Sequence, residues 1–239
     1  MPLAVELRGV TFAYDGGPPV LRDVDLGVEE GEFVAIAGPN GGGKTTLLRL
    51  VLGLERPQAG EALLYGEPAA HFSRRRELGY LPQRAQLGVD APATVREVVS
   101  AGRLPAGRLF GPLRSDDRAL VERAIADVGL VEHAGRPLRS LSGGQQQRAF
   151  IAKALAAEPR ILLFDEPTAG VDADAQEALA ALLVRLHRER GVTVLYVSHE
   201  FGAVEHAVER LVLVRGGIVF DGPPSDLPDL WHDPSHGHA

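Results

Sequence analysis

Apolar and polar residues alternate along the start of the chain, whereas later segments contain short, continuous apolar runs. The alternation over residues 4–30, with the turn-forming Asp15-Gly16-Gly17-Pro18-Pro19 in its middle, predicts short antiparallel strands. Residues 32–37 form a compact apolar run followed by glycines, which is typical of a buried strand. Residues 45–54 then carry leucines and a valine that can pack on a sheet, and they predict a helix.

The buried-strand pattern returns in the second half of the chain. Apolar runs at 161–164 and 192–197 predict two further strands of a parallel sheet, and residues 175–187 between them predict a helix. Residues 211–220 contain two apolar runs separated by Gly216-Gly217, which predicts a hairpin with a two-residue glycine turn.

The block from residue 87 to residue 156 is helical in character and separates the two halves. Thr94 and Glu97 have the spacing of a capping box, and Ser115 precedes apolar residues at helical spacing. Residues 102–112 between them are rich in Gly and Pro and predict a loop. We therefore interpret residues 1–239 as one α/β domain, with a core at 1–86 and 157–222, an inserted helical subdomain at 87–156 and a polar tail at 223–239.

The composition limits the possible functions. The 239 residues are 45% hydrophobic, which is enough for one sizeable core, and the net charge of −7 argues against bulk nucleic-acid binding. The chain contains no cysteine, so disulfides and thiolate metal sites are excluded. No stretch approaches the roughly 18 consecutive apolar residues of a membrane span, and the first residues lack the pattern of a signal peptide. We therefore expect any work at a membrane to require a partner chain.

Residues 38–45 fit the phosphate-loop pattern G-x-x-x-x-G-K-[ST], between the predicted strand and the predicted helix. Glycines let backbone N–H groups turn toward phosphate oxygens, and the following helix adds the positive end of its dipole. The motif predicts that Lys44 reaches the β- and γ-phosphates of a nucleotide and that the Thr45 hydroxyl ligates Mg²⁺. A glycine-rich turn that binds nothing also fits the pattern when it stands alone.

Two adjacent carboxylates, Asp165 and Glu166, follow the apolar run at 161–164. Asp165 at a strand end can hold Mg²⁺, although a cap of the next segment also fits an aspartate there. Adjacent carboxylates repel each other unless a cation offsets them, which favours the metal. Gln83, a neutral donor and acceptor, is suited to contact Mg²⁺ and water, although an ordinary loop glutamine fits as well.

A second anion site is indicated by Leu141-Ser142-Gly143-Gly144-Gln145. A helix beginning near Gln145 would place the Ser142 hydroxyl and free backbone N–H groups at its positive end. A serine-capped helix without a ligand fits the same residues. The chain already has one phosphate loop, so a second anion site raises the question of whose phosphate it binds.

The order and spacing of these motifs resemble the ATP-binding cassette family from about residue 4 to residue 222. The most specific feature is Leu-Ser-Gly-Gly-Gln followed by an apolar run that ends in Asp-Glu. The resemblance implies a RecA-like P-loop NTPase core with a mostly parallel sheet, an N-terminal antiparallel β subdomain and an inserted helical subdomain. It also implies that the chain binds ATP and Mg²⁺ and hydrolyses ATP.

By the same resemblance, Glu166 is the general base that polarises water, and His199 contacts the γ-phosphate. Tyr14 lies near where the family places an aromatic ring on adenine. Asp172 matches a loop that communicates between two cassettes, although Ala169 and Val171 depart from the usual Ser-x-Leu-Asp. The expected catalytic residues are Lys44, Gln83, Glu166 and His199, the expected metal ligands are Thr45, Gln83 and Asp165, and the expected nucleotide contacts are Tyr14, Gly38, Asn40, Gly41, Gly43, Lys44, Thr45, Thr46, Ser142, Gly143, Gly144 and Asp172.

The family also implies the partners. Two cassettes form a head-to-tail homodimer in which the Ser142-Gly143-Gly144 segment of each closes over the nucleotide of the other. Without a membrane span, the chain is expected at the cytoplasmic face of the cell membrane, docked through residues 84–102 on separate permease subunits. An extracytoplasmic solute-binding protein is an indirect partner, and no nucleic acid is expected.

Three segments, 93–99, 143–148 and 166–172, resemble the zinc/manganese uptake subgroup, which implies import of a divalent metal ion. Iron-siderophore and cobalamin cassettes share parts of these segments, and a soluble ATPase of the iron–sulfur assembly type is a further alternative. The tail histidines His232, His236 and His238 fit either a metal site or an incidental cluster.

Overall fold

The computed structural model describes residues 2–83, 93–104, 114–167, 173–198 and 207–227. These ranges contain two β-sheets and five α-helices. The strands are β1 Leu3–Phe12, β2 Leu21–Glu29, β3 Phe33–Ala37, β4 Ala59–Leu64, β5 Glu67–Pro68, β6 Leu78–Leu81, β7 Ile161–Asp165, β8 Thr193–Val197, β9 Arg210–Val214 and β10 Ile218–Gly222. The helices are α1 Lys44–Val51, α2 Val95–Ser100, α3 Ser115–Asp127, α4 Gly143–Ala156 and α5 Ala173–Arg190.

The first sheet is antiparallel and has the strand order β2-β1-β4-β5. The alternation over residues 4–30 predicted β1 and β2, which pair as expected, whereas β4 and β5 were not predicted. β4 begins with three exposed residues, Ala59 to Glu61, so the sequence has no clear alternation there. Gly60 has a φ of 79°, and a Cβ at this position would lie 2.2 Å from the carbonyl oxygen of Arg8, so close pairing with β1 requires glycine.

The second sheet has the order β10-β9-β3-β8-β7-β6. Strands β9, β3, β8, β7 and β6 run parallel, and β10 pairs antiparallel with β9. β3, β7 and β8 are buried along their whole length, which explains their continuous apolar runs. The predicted α/β fold with a mostly parallel sheet is confirmed.

The β9–β10 hairpin differs from the predicted two-residue turn. Ile218 pairs with Val214, so the connection is the three residues Arg215, Gly216 and Gly217. The N–H of Arg215 donates to the carbonyl oxygen of Gly217 at 2.8 Å, which removes Arg215 from the ladder. The prediction placed the start of the turn one residue too late because a strand can end in a charged residue, and Arg215 directly follows the apolar run at 211–214.

Two cores lie on opposite faces of the parallel sheet. One core contains Leu163 and Leu195 and joins this sheet to α1 and the antiparallel sheet. The other contains the neighbouring residues Phe164 and Tyr196 and joins the opposite face to α2, α3, α4 and α5. Successive strand residues therefore enter different cores, because side chains alternate between the two faces of a strand.

The helix ends follow local signals with small differences from the predictions. The capping box of Thr94 and Glu97 is present at the start of α2, and α3 begins at Ser115 as predicted. α1 ends at Val51, three residues earlier than predicted, and Gly53 follows it with a φ of 64°. The division into a core and a helical subdomain at residues 86/87 and 156/157 stays a prediction. Among the described residues, no helix combines the length and the apolar character needed to cross a membrane.

Candidate active site

Several predicted site residues meet at one edge of the parallel sheet. The strands β3, β8, β7 and β6 are neighbours in that order and run in the same direction, so their carboxyl ends lie side by side. Open α/β sheets place their ligands at this edge. The phosphate loop follows β3, Asp165 ends β7, and Gln83 follows β6.

The loop at residues 38–43 needs glycine at two positions that the structure makes clear. Gly38 has a φ of 144°, and a Cβ there would lie 2.1 Å from the carbonyl oxygen of Val214 on β9. Gly43 is the N-cap of α1 with a φ of 105°. The N–H of Gly216 in the β9–β10 turn donates to the carbonyl oxygen of Gly42 at 2.9 Å. The hairpin turn therefore supports the loop, a contact that no sequence motif indicated.

Lys44 points its ammonium group into this loop. The side chain is buried at 6% exposure, and Nζ donates to the carbonyl oxygens of Gly38 at 2.7 Å and Pro39 at 3.1 Å. A buried ammonium group costs free energy unless hydrogen bonds satisfy it, and these two carbonyls do so. The positive charge is thus fixed inside the ring of loop residues, and the contact of Lys44 with the phosphates of a nucleotide stays a prediction.

The Thr45 hydroxyl and the Asp165 carboxylate meet across the sheet edge. Thr45 Oγ1 donates to Asp165 Oδ1 at 3.2 Å, and Asp165 is 2% exposed. Burial raises the pKa of the Asp165 carboxyl above its ordinary value, while the Thr45 hydrogen bond lowers it and the charge of Glu166 raises it. A buried carboxylate beside a hydroxyl provides two oxygen ligands that suit a hard cation such as Mg²⁺.

Glu166 and Gln83 form a second pair beside the first. Gln83 Nε2 donates to Glu166 Oε2 at 2.5 Å, although the two residues are 83 positions apart. Glu166 has a left-handed backbone with a φ of 48°, and its N–H donates to the carbonyl oxygen of Val197 at 2.9 Å. The carboxylate next to the proposed metal ligand is therefore held by a residue that follows a different strand, β6.

Tyr14 lies at the other end of the phosphate loop. Its hydroxyl is 3.2 Å from Oγ1 of Thr46 in α1, and its ring packs edge-on against Phe12 with centroids 4.8 Å apart. The residue remains 41% exposed. One contact fixes each end of the ring, which leaves part of the ring surface available for a base to stack on.

The second predicted anion site is built by the start of α4. This helix begins at Gly143, two residues earlier than predicted, so Gly143 and Gly144 form its first turn and Ser142 is the N-cap. Ser142 and Gln145 form a capping box, in which Ser142 Oγ accepts from the Gln145 N–H at 3.3 Å. The first helical N–H groups and the Ser142 hydroxyl are therefore exposed together at the positive helix end.

Asn40 and Gly41 lie in the exposed part of the phosphate loop, where Gly41 has a φ of 78°. His199, Asp172, the tail histidines and residues 84–92 of the segment 84–102 lie outside the described residues. Tyr80 was not predicted: burial raises its pKa to about 12, with the nearby Asp165 charge adding to the rise. A tyrosine within a short apolar strand has no sequence feature that marks such a position.

The sheet topology, the phosphate loop and the carboxylate pair at the strand ends define a P-loop nucleotide-binding protein of the α/β class. A family profile described as "ABC transporter" matches residues 21–169. The chain belongs to the ABC transporter family, and it is an ATP-hydrolysing cassette.

Known relatives extend the likeness over most of the chain. The zinc uptake system ATP-binding protein ZurA of Listeria innocua is 38% identical over 219 residues, which are 91% of this chain and 85% of that protein. The manganese transport system ATP-binding protein MntB of Bacillus subtilis is 38% identical over 93% of this chain and 88% of its own length. Among solved structures, the dimeric post-hydrolysis state of the ATP-binding cassette MJ0796 bound to ADP and Pi superposes with a TM-score of 0.77. It is 31% identical and covers 92% of this chain and 98% of that one.

Proposed function

We propose that this cassette is the ATPase subunit of an importer for a divalent metal ion, zinc or manganese. The observation that carries the ATPase half is the convergence of Lys44, the Thr45–Asp165 pair and the Gln83–Glu166 pair at one sheet edge. The substrate half rests on the relatives, because ZurA and MntB are named for zinc uptake and manganese transport.

Thr45 and Asp165 would hold Mg²⁺. The fit is supported by their 3.2 Å contact and by the burial of Asp165, which raises the pKa of its carboxyl and which a bound cation would offset. When bound, Mg²⁺ supplies positive charge to the phosphate oxygens. Gln83 would contact the metal and its water as a neutral donor and acceptor.

Glu166 would act as the general base. Its carboxylate takes the proton of a water molecule as the water oxygen attacks the γ-phosphorus and the bond to the β–γ bridging oxygen breaks, so that ADP leaves. Gln83 fixes the carboxylate by donating to Oε2, and Lys44 neutralises charge on the β- and γ-phosphates. Nothing among the described residues tests His199, whose contact with the γ-phosphate is part of this proposal.

Two chains would build two composite sites. Ser142, Gly143 and Gly144 present a hydroxyl and helix N–H groups, and in the proposed dimer they bind the γ-phosphate held by the partner's phosphate loop. Asp172 would contribute at the same interface. The dimeric MJ0796 cassette supports this arrangement for a chain of similar fold.

The trans arrangement is tested by mixing two defective chains. Ser142→Arg should spare ATP binding to the monomer but abolish dimerisation and hydrolysis, because a bulky charge replaces the phosphate contact. A mixture of Ser142→Arg with Lys44→Ala should restore at most one active site per heterodimer, since the other site combines both defects. If Ser142→Arg weakens ATP binding to the monomer, the residue acts within its own subunit and the composite site is wrong.

The importer assignment further implies membrane permease subunits, docked at residues 84–102 on the cytoplasmic face, and a solute-binding protein outside the membrane. Metal-limited growth of cells that lack the gene is the direct test. We expect uptake of zinc or manganese to fall and to return with the wild-type gene but not with Lys44→Ala. Normal zinc and manganese uptake with a defect in siderophore or cobalamin uptake would show that the proposed substrate is wrong. No uptake defect at all would favour a soluble assembly ATPase.

A further inference from the structure

The side-chain amide of Gln145 connects the start of α4 to a histidine from the preceding segment. The N–H of Ser142 donates to Gln145 Oε1 at 3.0 Å, and Gln145 Nε2 lies 3.1 Å from His133 Nε2. His133 is half-buried and belongs to a short 3-10 turn at residues 131–133. The capping box formed by Ser142 and Gln145 therefore also contacts a residue outside α4, His133.

The donor and acceptor roles of these atoms determine the tautomer of His133. A backbone N–H only donates, so the atom of Gln145 that faces Ser142 must be the amide oxygen. The amide nitrogen, which only donates, then faces His133, and the histidine Nε2 must accept. This arrangement requires the neutral ring with its proton on Nδ1.

The histidine backbone is itself anchored. The N–H of His133 donates to the carbonyl oxygen of Leu130 at 2.9 Å, and the His133 carbonyl oxygen accepts from Arg136 at 2.9 Å. The carbonyl oxygen of the next residue, Ala134, accepts from the N–H of Arg96 in the first turn of α2 at 2.9 Å. The ring thus extends toward Gln145 from a segment that is bound to α2.

We propose that His133 is a positioning residue for the Ser142–Gln145 turn. Its Nε2 orients the Gln145 amide, the amide oxygen holds the Ser142 N–H, and the N–H groups of Gly143 and Gly144 are thereby aimed in one direction. His133 touches no nucleotide in this arrangement. The inference rests on the proposed composite site, in which this turn binds the γ-phosphate of the partner.

Three substitutions separate an acceptor role from simple packing. His133→Gln keeps an acceptor at similar reach, His133→Lys offers only a donor of comparable length, and His133→Ala removes the group. Each is made in a Glu166→Gln chain so that ATP-bound dimers persist. His71→Ala is the matched control, because His71 is an exposed histidine in a 3-10 turn away from the site.

The dimer dissociation constant in saturating Mg-ATP is measured by sedimentation, and ATP affinity is measured on the monomer. We expect His133→Ala and His133→Lys to weaken dimerisation by about 5- to 100-fold, because two composite sites each lose one oriented contact. His133→Gln should stay within about threefold of the parent and His71→Ala should match it. ATP affinity of every monomer should be unchanged.

Two results would overturn the inference: unchanged dimerisation of the Ala and Lys variants, or equal weakening in the Gln and Lys variants, which would indicate packing alone. If His133→Ala does not fold, the Gln and Lys pair gives the decision. A parallel Ser142→Arg chain distinguishes a failure of the His133 inference from a failure of the proposed composite site. If it fails to dimerise while the His133 variants dimerise normally, only this inference is wrong; if it dimerises normally, the composite site itself is wrong.

Discussion

At the scale of single residues, Glu166 occupies a backbone conformation that glutamate rarely adopts. A φ of 48° costs a non-glycine residue about 1–3 kcal/mol, and such conformations persist where the surroundings fix them. Here the N–H is bound by Val197 and the carboxylate by Gln83. The position of the carboxylate is therefore set by contacts on both sides of the residue, which the proposed general-base role requires.

Replacing Glu166 by Gln should lower steady-state ATP turnover by about 10²–10⁴, because the base is lost while its shape remains. ATP binding should persist, and ATP should trap the dimer. Glu158→Gln is the matched control, since Glu158 is an exposed glutamate with a φ of 56° outside the site. Near-normal turnover of Glu166→Gln in a clean preparation would exclude its role as the base.

Tyr14 gives a second prediction at this scale. Tyr14→Phe removes only the contact with Thr46, whereas Tyr14→Ala removes the ring. Since stacking of a base on an aromatic ring contributes about 1–3 kcal/mol, Tyr14→Ala should weaken ATP binding by about 5- to 100-fold, and Tyr14→Phe by less than about fivefold. Binding of inorganic triphosphate, which has no base, should be equal in all three proteins. A similar loss for triphosphate would mean that Tyr14 supports the phosphate loop and not adenine.

At the scale of secondary-structure elements, Arg103 connects the helices of the 93–156 region. Its side chain donates to Asp117 in the first turn of α3 at 2.8 Å and to the carbonyl oxygen of Ala156 at the end of α4 at 3.1 Å. The hydrogen bond from Arg103 lowers the pKa of the Asp117 carboxyl below its ordinary value. A cation at the carboxyl end of α4 also complements the helix dipole.

This pKa shift has a defined consequence for stability. Because the pKa of Asp117 is lower in the folded protein than in the unfolded chain, the stabilisation is present above the unfolded pKa and is lost as the pH falls through the folded pKa. Asp117→Asn should lower the melting temperature at pH 7 by about 1–3 °C and reduce the loss of stability in acid. Asp116→Asn, at the neighbouring position, is the control. Identical acid profiles for wild type and Asp117→Asn, measured by thermal unfolding, would contradict the prediction.

At the scale of the whole molecule, α5 on the parallel sheet is tied to α3. Arg190 forms a 2.6 Å ion pair with the Asp127 carboxylate, and Arg185 donates to the Asp127 carbonyl oxygen at 2.7 Å. The side chains of Arg190 and Asp127 are 29% and 19% exposed, so solvent screens the pair only in part. One residue at the end of α3 thus receives both contacts, which fixes this helix relative to the sheet.

A double-mutant cycle measures this connection. Arg190→Ala and Asp127→Asn should together destabilise the protein by less than the sum of the single changes, with a coupling of about 0.5–1 kcal/mol in urea unfolding. Arg188→Ala, an exposed arginine on the same helix, should show no coupling with Asp127→Asn. Strict additivity of the Arg190 and Asp127 changes would show that the ion pair contributes nothing to the free energy of unfolding.

The sequence by itself determined the features that depend on neighbouring residues. The glycines and Lys44 of the phosphate loop, the caps at Thr94 and Ser142, and the buried runs of β3, β7 and β8 are local patterns, so each was predicted close to its observed place. β4 was missed because its exposed start shows no alternation. The predicted hairpin turn began one residue too late because Arg215 follows the strand residues directly in sequence. Only the hydrogen bond from its N–H to Gly217 shows that it belongs to the turn.

Only the tertiary structure decided which of these features touch. Thr45 meets Asp165 across 120 positions and Gln83 meets Glu166 across 83, because β8 and β7 insert between β3 and β6 and align the strand ends. The contact of His133 with Gln145 depends on how a turn folds against α4. Strand order and side-chain orientation arise from the burial of two sheet faces at once, and no local window of sequence contains that information.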